Sequence, residues 1–167
     1  MKKIILLHCW LFIAIPSFAQ KIARDTSFDG HRYIETYTKV ILTPKKSVFP
    51  ISLSLVYYGG YKLRFHSRYK LPAESFLKIS LTNGDEIAFY PYTSYMYEDK
   101  LGLIKEKKIY DTIYQINEEQ LEKILSSSIQ TIGIGSEESW FSKSWKNNQI
   151  GKWLSISYKN INKRLSK

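Results

Sequence analysis

Residues 51–67, ISLSLVYYGGYKLRFHS, decide the fold, because only one pairing register suits both halves of the stretch. Ile51, Leu53, Leu55 and Tyr57 alternate with Ser52, Ser54 and Val56, and Gly59-Gly60 marks a hairpin turn. A two-residue loop would pair Leu55 with Arg64 and Leu53 with His66, mixing apolar and charged side chains on one face. A three-residue loop, Tyr58-Gly59-Gly60, pairs Tyr57 with Tyr61, Leu55 with Leu63 and Leu53 with Phe65. All the apolar side chains then share one side. A slip of one residue inverts every side chain, so face consistency selects the second register. That register also puts Gly60 at the left-handed position that closes such loops.

The same device recurs at 76–90, FLKISLTNGDEIAFY. A loop of Thr82-Asn83-Gly84 pairs Ile79 with Ile87 and Leu77 with Phe89. Two hairpins follow, with inner faces Ile51/Leu53/Leu55/Leu63/Phe65 and Leu77/Ile79/Leu81/Ile87/Phe89. Around them, 32–42 alternates as a first strand, Thr43–Ser47 reads as a turn, and 20–31 reads as loose polar chain. Residues 91–100 are tyrosine-rich and less regular, and 98–108 reads as a charged connection with weak strand character around Leu101–Ile104. Ile109–Ile116 leads into a helix near 118–127, with Asn117 as N-cap, Gln120 as its capping-box partner, and an apolar stripe of Leu121, Ile124 and Leu125. Ile129–Ile134 is a short strand. Ile150, Leu154, Tyr158, Ile161 and Leu165 recur near 3.6 residues, which predicts a C-terminal helix near 147–165. The fold class is therefore α+β, dominated by an antiparallel meander of hairpins. About six to eight strands are expected, in a sheet that curls or forms two layers.

The chain opens MKKIILLHCWLFIAIPSFAQ. Lys2 and Lys3 precede an apolar run from Ile4 to Ile15, and Ser17-Phe18-Ala19 fits a small-x-small cleavage signal. Residues 1–19 are expected to be a cleaved signal peptide, leaving 20–167 as a single globular domain. The alternative, a membrane anchor, needs roughly 20 apolar residues, and this run is shorter. No later stretch is long and apolar enough to span. Cys9 is the only cysteine and leaves with the leader. The mature chain then has no disulfide, no thiol nucleophile and no cysteine metal site, so its core alone must hold it. Removing Lys2 and Lys3 leaves 23 basic against 15 acidic side chains, a net charge of +8. Such an excess favours acidic partners without choosing among them.

The order of a leader ending in Ala-Gln, a glycine-closed hairpin, LKISLTNGDEIAF, INEEQLEKILSSSIQTIGIG and a final IGKWLSISYKNI resembles small exported proteins of uncharacterised function common in Bacteroidetes. The resemblance implies an envelope or secreted location, periplasmic or extracellular. It carries no catalytic motif.

The first hairpin's second half sends Lys62, Arg64, His66, Arg68 and Lys70 to the face opposite Leu63 and Phe65. Their hairpin partners Val56, Ser54 and Ser52 supply no counter-charge, where opposite charges would have been the usual stabilising choice. One reading is a face that binds an anionic glycan, a lipid headgroup or an envelope protein, with Tyr58, Tyr61 or Tyr69 for stacking. Another is a solvated face whose charges deter edge-to-edge association. A third is neutralisation by Glu35, Glu74 or Glu86 on another neighbour. Tyr90, Tyr92, Tyr95 and Tyr97 read first as half-buried strand residues, and Trp140, Phe141, Trp145 and Trp153 as packing where the last helix meets the sheet. Only His31 and His66 survive cleavage, without zinc spacing, and there is no nucleophile elbow. Gly133-Ile134-Gly135 lacks the third glycine and the context of a nucleotide loop. Glu118, Glu119 and Glu122 suit a helix start, and Glu137 and Glu138 a solvated turn. The expected function is non-catalytic binding or scaffolding in the cell envelope, without cofactor or metal. The alternative is an envelope hydrolase using a pair of carboxylates. Export and the lack of a recognised motif argue against nucleic acid.

Overall fold

The structure is a computed structural model and describes residues 22–42, 51–68, 71, 75–99, 107–136 and 140–167. The expected leader, the Thr43–Ser47 turn, the Leu101–Ile104 stretch, Tyr69, Lys70, Glu74, Glu137 and Glu138 lie outside the described residues. In chain order the elements are β1 Ile22–Phe28, β2 His31–Thr36, β3 Lys39–Leu42, β4 Ile51–Tyr58, β5 Tyr61–Ser67, β6 Phe76–Leu81, β7 Glu86–Phe89, β8 Pro91–Asp99, β9 Lys107–Gln115, α1 Glu118–Ser126, β10 Ile129–Gly135, β11 Trp140–Ser144 and α2 Gln149–Leu165.

The described strands number eleven, against the six to eight expected, and they form two antiparallel sheets. The first runs β1-β2-β4-β5-β9-β8, with β3 pairing along β4 beyond β2, and the second runs β11-β10-β6-β7. Both hairpins adopt the registers that the apolar pattern demands. Tyr57 faces Tyr61, Leu55 faces Leu63 and Leu53 faces Phe65. Leu77 faces Phe89, and Ile79 faces Ile87. All ten expected inner-face residues are buried, in one cluster that also takes in Ile132 and Ile134 of β10 and Ile150, Trp153, Leu154 and Ile161 of α2. The two sheets and both helices thus share a core. The helix α2 packs on β2 and β4. The α1 capping box forms as its sequence dictates: Gln120 N–H donates to Asn117, and the Asn117 N–H donates to the Gln120 side chain. No described helix is long and apolar enough to cross a membrane.

Several expectations need correction. Of the stretch 20–31 expected to be loose, residues 22–28 are β1, hairpinned onto β2 through Asp29 (φ 48°) and Gly30 (φ 76°). Asp-Gly is a strong two-residue turn signal, and it was masked by the polar, largely exposed strand before it. The single strand expected over 32–42 is broken at Tyr37-Thr38 into β2 and β3. Residues 91–99 of the stretch read as irregular form strand β8, paired along β9 with a register shift between Pro91 and Thr93. Residues 140–144 form β11, which the tryptophan spacing alone did not announce. In the first hairpin the left-handed residue is Gly59 (φ 58°), and Gly60 lies further out, at φ 142°.

Candidate functional site

On β5 the alternation puts Lys62, Arg64 and His66 on the outer face of the first sheet. There Arg64 does not face water. Across β4 it reaches Glu35 of β2, and on its other side it reaches Asp111 of β9. Its Nη1 donates to both Glu35 oxygens at 3.1 and 3.0 Å and to the Tyr33 hydroxyl at 3.1 Å. Its Nε and Nη2 donate to Asp111 Oδ2 at 3.0 and 2.5 Å. The span over β4 is possible because the residue opposite Arg64 is Ser54, which is small. Ser54 adds a hydrogen bond of its own, donating to Glu35 Oε1 at 2.7 Å, and Tyr33 donates to Glu35 Oε2 at 2.8 Å. The Tyr95 ring lies 5.6 Å from the guanidinium carbon. Of the three readings of the basic row, neutralisation by Glu35 describes Arg64 and His66, with Asp111 as the second carboxylate. Glu86 instead pairs with Lys78 on the other sheet.

His66 stands between the same two carboxylates. Its Nδ1 is 2.6 Å from Asp111 Oδ1 and its Nε2 is 3.7 Å from Glu35 Oε1. The first contact is close but poorly aligned, since Oδ1 accepts no well-directed hydrogen bond. Burial pushes the His66 pKa down, but the neighbouring Asp111 and Glu35 carboxylates outweigh it and the net shift is upward. Burial alone would raise Glu35. His66, Arg64, Ser54 and Tyr33 together bring it down to about 2. Two carboxylates, one guanidinium and one imidazole make a largely buried quartet, in which protonation of His66 would balance the charge.

Ser54, His66 and Asp111 have the connectivity of a nucleophilic triad, with Ser54 Oγ 3.4 Å from His66 Nε2. The chemistry does not follow. A general base must be neutral to take the serine proton, and this imidazole has a carboxylate at each nitrogen. The Ser54 hydroxyl is donated to Glu35 instead, and both Ser54 and Asp111 are 0% exposed. Nor do Glu35, His66 and Asp111 offer a metal site, because Arg64 already bridges the carboxylates. Among the described residues no group of three His, Cys, Asp or Glu is arranged to hold a metal ion.

Lys62 makes its contacts outside this quartet. Lys62 donates to the Tyr58 carbonyl and lies 5.6 Å from that residue's ring centroid. Arg68 follows just past β5. Tyr58 is half-buried and packs against the rings of Phe28, His31 and Tyr33. Tyr61 belongs to the opposite face. Its ring centroid is 5.3 Å from that of Tyr57 and 5.2 Å from that of Tyr158, and its hydroxyl donates to Asn162.

Tyr61 opens onto a cleft of about 930 Å³ between the β4–β5 turn, α1 and α2. Tyr57, Tyr61 and Tyr158 wall it, with Ile116, Leu121 and Leu125 as apolar lining and Glu118 and Glu122 on the α1 side. Position and residue type in the sequence gave Glu118 and Glu122 only a helix-start role. Their convergence with tyrosines 60 and 40 residues away required the fold. Compared with protein families, with curated proteins and with solved structures, the chain matches none.

Proposed function

We propose that this is an exported, non-catalytic binding protein of the cell envelope, and that its ligand enters the tyrosine-walled cleft beside α1. The leader and the resemblance to small exported Bacteroidetes proteins support the location. The cleft supports the binding: it has the volume and the mainly apolar, aromatic lining of a small-ligand site, with few polar groups. Glu118 and Glu122, one helical turn apart, are its charged groups, so it favours a cationic group held over tyrosine faces and between carboxylates. The hydrolase alternative asks for carboxylates on opposite sides of a scissile bond, whereas these two stand on one wall.

The net charge, +10 for the full chain and +8 without Lys2 and Lys3, favours the second reading, an anionic glycan or lipid headgroup on the basic row. Against it, an anion at Arg64 or His66 would have to displace Glu35 or Asp111. Nuclear magnetic resonance of the protein titrated with tri-lysine, and separately with heparin, decides between them. Tri-lysine is expected to shift Tyr57, Tyr61, Tyr158 and Leu121 resonances, with the shifts lost in Glu118→Gln/Glu122→Gln. Heparin shifts confined to β5, with no response to tri-lysine, would overturn the cleft reading in favour of the basic row.

A further inference from the structure

We propose that the outer face of the second sheet is a separate site for a neutral saccharide chain. Three aromatic rings cross this face at one end. Trp140 of β11 lies 5.0 Å, centroid to centroid, from Phe76 of β6, and Phe76 lies 6.5 Å from Tyr90 just beyond β7. Trp140 is 41% exposed and Tyr90 is 75% exposed. Beside them runs a groove of about 400 Å³ whose lining includes Ser80, Thr131, Ser136 and Ser142.

Trp140 rests on Gly133. A Cβ at that position would stand 2.0 Å from the indole Cζ2, so the ring needs the bare backbone. Covering a strand glycine with an aromatic ring is a known stabilising device. It accounts for Trp140, but not for the continuation of the rings to Tyr90 or for Ser136. Ser136 is 5% exposed, and among the described residues its Oγ has no hydrogen-bond partner although it lines the groove. A buried hydroxyl left unpaired costs about 1–3 kcal/mol, which a ligand hydroxyl at the groove would offset.

The chemistry of the occupant follows from the lining. Aromatic faces suit the C–H faces of a sugar ring, and a row of serine and threonine hydroxyls suits its edge. Thr131 and Ser80 already bond to Ser144 and Glu86, but a lipid or an apolar peptide would leave the Ser136 hydroxyl unpaired. Among the described residues the one cation lining the groove, Lys78, is already paired with Glu86 at 2.7 Å.

Affinity electrophoresis through gels containing neutral polysaccharides (a β-glucan, a xylan, a mannan), with fluorescence titration by the matching hexasaccharides, tests this. Retardation by at least one of them is expected, with quenching of tryptophan emission. Trp140→Ala should weaken binding at least tenfold. Ser136→Ala should weaken it several-fold while the melting temperature stays level or rises, an outcome that a merely structural serine would not give. Glu118→Gln/Glu122→Gln should leave saccharide binding intact, which separates this site from the cleft. The proposal is overturned if none of the three polysaccharides retards the protein, if Trp140→Ala binds as tightly as the parent, or if Ser136→Ala leaves affinity unchanged.

Discussion

Arg64 shows how far a residue's role depends on neighbours that are distant in sequence. In the row Lys62–Lys70 it is one of four cations beside a histidine, yet in the fold it ties β2, β5 and β9 together through Glu35 and Asp111. Arg64→Ser would leave two buried carboxylates without their main counter-charge, and removing one partner of a buried pair typically costs about 3–5 kcal/mol. Urea denaturation should show a loss of that size, and a loss below about 1 kcal/mol would refute the structural role. The quartet also predicts the pH dependence. His66 has its pKa raised by folding. Its stabilising contribution is therefore full below the ordinary histidine value of about 6.5 and is lost as pH rises through the elevated folded value. Glu35 is depressed to about 2. Its contribution, on the order of 3 kcal/mol, is full above the ordinary glutamate range and is lost as pH falls towards that value. Unfolding free energy measured from pH 3 to 9 should fall at both ends. His66→Gln should flatten the alkaline limb and leave the acid limb sloping. An alkaline limb unchanged in the variant would refute the assignment.

At the scale of the element, the two central hairpins are specified by their own residues. Alternation sets which side chains face the core, and the glycines set where the chain reverses. Space does not require Gly59, since a Cβ there would meet nothing within 4 Å. Its φ of 58° does, because L-residues enter that region at about 1–2 kcal/mol. Gly59→Ala should therefore lower stability by about that amount, and Gly59→Asn by less. Gly60→Ala should be worse than Gly59→Ala, since φ 142° lies outside even the left-handed basin. Thermal melts of the three variants check this ordering, and equal losses would refute it. The elements that the pattern missed share a physical cause. The strand β1 is almost wholly exposed, so no apolar alternation marks it. The strands β8 and β11 bear several exposed side chains on both faces, which blurs the period of two.

At the scale of the whole molecule, one core joins both sheets and both helices. Leu63 of β5 and Ile132 of β10 are each fully buried in it although they sit in different sheets. Leu63→Ala and Ile132→Ala should each destabilise the entire molecule by about 2–5 kcal/mol. Circular dichroism and tryptophan fluorescence should report one coincident unfolding transition in both variants. Separate transitions for the two sheets would refute a common core. The tryptophans also divide at this scale. Trp153 is buried where α2 meets the sheets, as the packing reading expected, and Trp145 and Phe141 are partly so, but Trp140 stands on the outer face.

The chain's own pattern determined the class of fold, the registers of both hairpins, the inner faces, the cap of α1 and the span of α2. Each of these is set by residues close together in sequence, where apolar period, turn glycines and capping side chains act without outside help. Tertiary structure decided the rest. It divided the strands between two sheets, carried Glu35 and Asp111 to Arg64 and His66, and assembled the tyrosine cleft and the aromatic strip. Those features join residues from strands and helices that are neighbours only once the core has closed. The distance between two side chains on separate elements depends on packing, and no local period encodes it.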